Sequence, residues 1–193
     1  MSKPIIVNSK EQLEKLKTKG YGVFPSKNEL SSLDENTELL IVGTYIPQDI
    51  DYFYFGDKGK KLYERVIDVA RKTDFESKKQ RIIGEKDNDC KQRLIKEFVD
   101  GLKKQRIAFL DLFEYTLQRV GEVHDNTILA CSLDKRFENE VKNHKSIKWI
   151  VPISRLAEDI LIHDLSIDDK RVDYHQLICG GSYEEWIEVF KRQ

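Results

Sequence analysis

Apolar positions along the chain follow two rhythms. Short continuous runs fall at 38–45, 106–113, 147–153 and 172–179. Between them, apolar residues recur every three or four positions, which is the periodicity of a helix with one buried face. The first kind of run predicts strands buried on both sides. Pro152 ends the third of them, because proline cannot donate to a ladder. The second kind predicts helices over 10–19, 58–71 and 89–105, one after Ser154, and a last one after Ser182. Ser9 and Ser154 are placed as N-caps, and Gly20 stops the first helix. Leu62, Tyr63, Val66, Ile67 and Ala70 share one face of the second helix. Leu94, Ile95, Phe98, Val99 and Leu102 share one face of the third. Trp186, Ile187 and Phe190 point inward from the last. Residues 73–89 are polar and charged, and are expected as an exposed connection or insertion.

Alternating strands and helices give an α/β domain. The expected architecture is a three-layer α/β/α sandwich around a central, mainly parallel sheet of four strands. Neither an internal repeat nor a low-complexity linker interrupts the chain. Residues 1–193 are therefore expected to form one domain, with a helical extension over about 1–35.

Composition narrows the function classes. The chain has 193 residues, enough for a sizeable core. Charged residues make up 35%, but they nearly cancel to a formal net charge of −1. A globally basic nucleic-acid binder is thus not indicated, although a local basic patch is compatible with that total. No apolar run approaches the roughly 20 residues of a membrane span, and the N-terminal apolar stretch is too short for a signal-peptide core. A cytoplasmic location is expected, without a membrane partner. Cys90, Cys131 and Cys179 lie far apart, and His124, His144, His163 and His175 lack metal-ligand spacing. Neither a disulfide framework nor a metal or iron–sulfur site is expected, and no cofactor is implied.

Four places carry candidate chemistry. After the strand at 38–45, a polar loop with Pro47 leads into Tyr52, Phe53, Tyr54 and Phe55, and then into Gly56, Asp57 and Gly59. Lys60 and Lys61 fall in the first turn of the following helix. Rings beside lysines at the C-terminal edge of a strand suit a flat base and its phosphate. An ordinary strand–loop–helix connection over packed aromatics accounts for the same residues. Asp111 is a carboxylate inside an apolar strand, costly to bury unless paired. It either accepts from a base edge or caps nearby backbone N–H groups. Arg119, His124, Asp125 and Asn126 crowd the expected loop over 115–128, which is either a ligand loop or a turn with an N-cap. Gly180, Gly181 and Ser182 form a strand-to-helix turn that permits close phosphate approach or simply meets a steric need.

Taken in order, these pieces resemble the uracil-DNA glycosylase superfamily, especially its hypoxanthine-DNA-glycosylase-like branch. A strand ending in G-S-x-P-G matches Gly43-Thr44-Tyr45-Ile46-Pro47, with Ile46 as an extra residue. An aromatic helix start, Y-Y-x-x-P-R-N-x-F-W, matches the run from Tyr54 through Lys58-Gly59-Lys60-Lys61 to Tyr63. A segment of the type G-I-A-L-W-D-V-x-x-x-C-x-R-x-G-S-x-D-S-x-I is the most specific match. Its counterpart runs from Arg106 through Asp111, Arg119 and Gly121 to Asp125, Asn126 and Ile128, with single-residue slips before Arg119 and before Asp125. The resemblance covers roughly 38–192. Two departures stand out: Lys60 replaces the family's Asn, and Cys179-Gly180-Gly181-Ser182 replaces a P-S-P-S or P-S-T-S motif.

The resemblance implies a hydrolase of DNA repair that extracts a flipped or damaged nucleobase and hydrolyses its N-glycosidic bond. DNA or a nucleotide is the implied partner. Gly43, Thr44, Tyr45, Phe55, Asp111, Asp125 and Asn126 would then contact substrate, with Tyr45 stacking on the base and Phe55 in reserve. Asp49 or Asp57 would orient water. Lys60 would bind phosphate or attack C1′ as a Schiff-base nucleophile. Lys58, Lys61, Gly180, Gly181 and Ser182 would approach DNA. The departures also fit a catalytically inactive nucleotide- or nucleic-acid-binding module on the same fold. A protein–protein role for the aromatics at 52–55 is a third reading.

Overall fold

The computed structural model describes residues 3–26, 33–44, 63–121, 127–167, 169–172 and 182–192. At its centre is β3 (Leu39–Gly43), in which all five residues are buried. β3 pairs in parallel with β4 (Ile107–Asp111) on one side and with β7 (Trp149–Pro152) on the other. Both faces of this three-stranded sheet are covered, and the pleat sorts its residues between two cores. Leu39, Ile41, Ile107, Phe109 and Val151 pack under α2 (Tyr63–Arg71), α4 (Asn88–Lys104) and α6 (Tyr183–Lys191). Leu40, Val42, Ala108, Leu110 and Ile150 pack on the opposite side, against α5 (Arg155–Asp159) and the π-helical turn Ile160–Asp164 that continues it.

The expected single sheet of four mainly parallel strands is two sheets. The second is mixed, with β1 (Ile5–Val7), β6 (Ile128–Leu133), β5 (Phe113–Arg119) and β2 (Tyr21–Pro25) in that spatial order. Only the β1–β6 pair is parallel there; β5 runs antiparallel to both of its neighbours. The N-terminal segment, expected as a helical extension, supplies two of these strands around α1 (Lys10–Leu16). Ser9 caps α1 as expected, its hydroxyl accepting from the Gln12 N–H. Leu13 of α1 packs on Leu117 and Ala130 of the mixed sheet. Gly20, at φ +87°, occupies the turn before β2.

Residues 115–119 also differ from expectation: they continue β5 as strand where a loop was predicted. Tyr115 and Leu117 pack toward α1, while Thr116 and Gln118 are buried polar residues that read as loop in the sequence. Residues 73–89, expected as an exposed connection, contain α3 (Phe75–Gly84). Phe75 and Ile82 enter the core, and the buried Lys79 ammonium meets the Glu64 carboxylate at 2.5 Å. The high charge of this segment masked its few inward positions. Of the expected strand at 172–179, Val172 bridges Ile150 in parallel, and the rest lies outside the described residues.

Gly101, in the interior of α4, is fixed by packing. A Cβ there would sit 2.9 Å from a ring carbon of fully buried Phe75. That ring is itself held edge-on to Phe98, with centroids 4.9 Å apart. Gly101→Ala would normally gain about 1 kcal/mol of helix propensity. Overpacking of about 1–3 kcal/mol outweighs it, so a net destabilisation of about 1 kcal/mol is expected in urea unfolding. A stabilised variant would show that the Phe75 ring has room to move.

Candidate functional site

The C-terminal ends of β3, β4 and β7 lie side by side, the position at which parallel α/β sheets hold ligands. Gly43 ends β3 in register with Asp111, which ends β4. Thr44 follows Gly43 and is buried; Ser154 follows β7 and is also buried. Ser154 caps α5, its hydroxyl accepting from the Ala157 N–H at 3.1 Å.

Asp111 is fully buried. A carboxylate there requires donors, and the Ser26 hydroxyl provides one to Oδ2 at 3.2 Å. Ser26 directly follows β2, and its own N–H donates to the Glu114 carbonyl at 2.8 Å. Asp111 therefore stands where the parallel sheet meets the mixed one. Of the expected substrate contacts, the fold brings Gly43, Thr44 and Asp111 together. Ser26 was not foreseen: it lies 85 residues from Asp111, and no local spacing links them.

Two further buried groups escaped the sequence reading. Thr116 Oγ1 and Gln118 Oε1 have no hydrogen-bond partner among the described residues, although both side chains are buried. They sit two residues apart on one face of β5, aligned with Phe24 and Gly22 of β2. Unsatisfied polar atoms inside a sheet are uncommon and leave acceptors available to water or to a ligand. Cys131, opposite Thr116 on β6, supplies no nucleophile there. Burial, then the Asp164 carboxylate, pushes its thiol up to about 12, against a weaker opposing pull from Lys3, so it stays protonated near neutrality.

Ser182 starts α6 in a capping box. Its hydroxyl accepts from the Glu185 N–H at 3.2 Å, and the Glu185 carboxylate accepts from the Ser182 N–H at 2.6 Å. Tyr45, Asp49, Phe55, Asp57, Lys58, Lys60, Lys61, Asp125, Asn126, Gly180 and Gly181 lie outside the described residues.

No family model matches the chain, and no curated protein does. Among solved structures, it is similar to the solution NMR structure of a "putative Uracil DNA glycosylase" from Methanosarcina acetivorans. That match covers 83% of this chain and 93% of that one, with a TM-score of 0.56 and 19% identity. The fold is uracil-DNA-glycosylase-like. At that identity the likeness carries the fold and does not distinguish the hypoxanthine branch. Within this glycosylase-like fold, no helix among the described residues is long and apolar enough to cross a membrane.

The Ser26–Asp111 contact is directly testable. Ser26→Ala removes a donor from a fully buried carboxylate and is expected to cost about 1–3 kcal/mol in chemical denaturation. An unchanged midpoint would show that Asp111 does not depend on Ser26.

Proposed function

We propose that this chain is a DNA N-glycosylase that takes a flipped nucleobase at the C-terminal ends of β3 and β4. One observation carries the reading: a fully buried carboxylate, Asp111, stands at a strand end in register with Gly43. A base edge presents N–H donors, and a fixed acceptor in a low-dielectric site discriminates among them strongly. Gly43 and Thr44 form the adjoining wall, with Tyr45 stacking on the base and Phe55 in reserve. Asp125 and Asn126 contact the same nucleotide.

The reaction is hydrolysis. Water adds at C1′, the C1′–N bond breaks, and its electron pair leaves with the base. Asp49 or Asp57 orients the water and takes its proton. The departing base is stabilised by the hydrogen bonds it receives. Lys58 and Lys61 hold phosphates, aided by Gly180, Gly181 and Ser182, and Lys60 does the same near the helix start. The hypoxanthine-DNA-glycosylase-like branch is the proposed kinship, on the motif matches at Gly43–Pro47 and 106–128.

A second reading, a catalytically inactive nucleic-acid-binding module, is favoured by Lys60 in place of the family's Asn. The capping box also ties up the Ser182 N–H, and Glu184 and Glu185 make the first turn of α6 acidic. Both features weaken a phosphate contact at that turn.

Labelled oligonucleotides bearing uracil, hypoxanthine, xanthine, mismatched thymine or modified cytosines separate the two readings. Under the first, alkali cleaves at the abasic site left by the parent protein, and Asp111→Asn lowers kcat/KM about 10- to 100-fold, the worth of a hydrogen bond to a charged group. Binding without excision on every substrate would establish the second reading. Borohydride trapping of a covalent adduct, lost in Lys60→Ala, would assign Lys60 as the nucleophile; no adduct removes that role.

A further inference from the structure

At the opposite end of the parallel sheet, the same register brings charged residues together. Glu38 immediately precedes β3, Arg106 precedes β4 and Lys148 precedes β7. Backbone bonds fix them side by side: the Glu38 N–H donates to the Arg106 carbonyl, and the Lys148 N–H to the Glu38 carbonyl, both at 2.9 Å. Arg71 ends α2 and Lys104 ends α4 against this edge. Together with Gln105, these residues line an open cleft of about 430 Å³, within the roughly 300–1,000 Å³ of small-molecule sites.

The cleft holds four cations and one carboxylate. Glu38 is shared by Arg106 (2.5 Å) and Lys148 (3.3 Å). Burial works to raise its carboxyl, but hydrogen bonds from Arg106 and Lys148 outweigh it and hold the group below its ordinary value. Arg71 spends donors on the uncharged carbonyls of Phe190 and Arg192, and its charge shares the single Glu38 carboxylate with the other cations. Lys104 has no ion-pair partner among the described residues. Cations at helix C-termini favour the helix dipole, and that explains their sign but not the concave site they share. Arg106, like Lys72 after α2, also has an unusual backbone. It sits just beyond α4 at φ +58°, where helices ordinarily place glycine, and a non-glycine residue there carries backbone strain.

We propose that this cleft binds a phosphate group, with Lys104, Lys148 and the Arg106 guanidinium as its ligands. Forked guanidinium donors and a net surplus of positive charge suit a multiply charged oxyanion better than a single carboxylate. Five-residue strands put the cleft about 16 Å from Asp111, so it is separate from the proposed base site. The phosphate belongs either to a small phosphorylated ligand or to a nucleic-acid backbone.

Calorimetric titration of the full chain with inorganic pyrophosphate at low salt tests this. The expected result is saturable binding that weakens at least tenfold in Lys104→Glu. Arg106→Gly should weaken it similarly while keeping or raising Tm, since glycine relieves the backbone at that position. Absence of binding by the parent protein, or unchanged affinity in both variants, would overturn the proposal. Parallel titrations identify the source. A nucleoside diphosphate affected by the variants assigns a small ligand, and a short single-stranded oligonucleotide affected alike assigns a nucleic-acid backbone. Pyrophosphate binding is read without any excision, and excision by the parent protein without pyrophosphate, so this site and the glycosylase reading, on which it does not rest, fail separately.

Discussion

The structure turns on how the chain passes through Leu112 and Phe113. β4 ends in the parallel sheet and β5 begins in the mixed one with a single residue between them. At that point the Leu112 N–H donates to the Gly43 carbonyl at 2.9 Å and the Phe113 N–H to the Thr44 carbonyl at 3.0 Å. The Asp134 N–H donates to the Leu112 carbonyl at 2.8 Å. Both side chains are fully buried, so backbone groups there have no water to fall back on and must find partners. Meeting that demand from both sheets at once locks them together. It also sets Asp111, one residue before the crossing, at the seam, where Ser26 from the mixed sheet reaches it.

A net charge of −1 conceals a strongly uneven arrangement. One end of the parallel sheet presents a buried carboxylate. The other presents four cations around Glu38. Elsewhere charges are used locally: Glu64 and Lys79 pair inside the helical layer, and Asp134 binds the Arg136 guanidinium through both of its oxygens. Total charge is a poor guide to partners for such a protein, because potentials at a surface depend on distribution. The two ends of the sheet offer opposite chemistries from a single strand register.

Much of the fold was legible in the chain. The apolar runs at 38–45 and 106–113 contain β3 and β4, strands buried along their whole described length, and helix periodicity found α2, α4 and α6. Ser9 and Ser154 cap helices as expected, and Ser182 starts α6 as expected but does so in a capping box. Asp111 stood out as a carboxylate within an apolar run. What escaped were features whose signal is spread across the chain. β5 looked like a loop because Thr116 and Gln118 are polar, yet both are buried and their backbone is paired on both sides. α3 looked like an insertion because its charges outnumber its inward residues. Ser26 had no local mark at all.

The sequence by itself determined the buried parallel strands, most of the helices and their capped starts, because burial rhythm and capping act within a few residues. The tertiary structure decided that there are two sheets, that the N-terminal segment contributes strands, and which donor serves Asp111. It also decided that Arg71, Lys104, Arg106 and Lys148 converge. Those outcomes depend on which distant strands pair and in what register. That choice is made by the packing of whole surfaces against one another, a quantity no short window of residues contains.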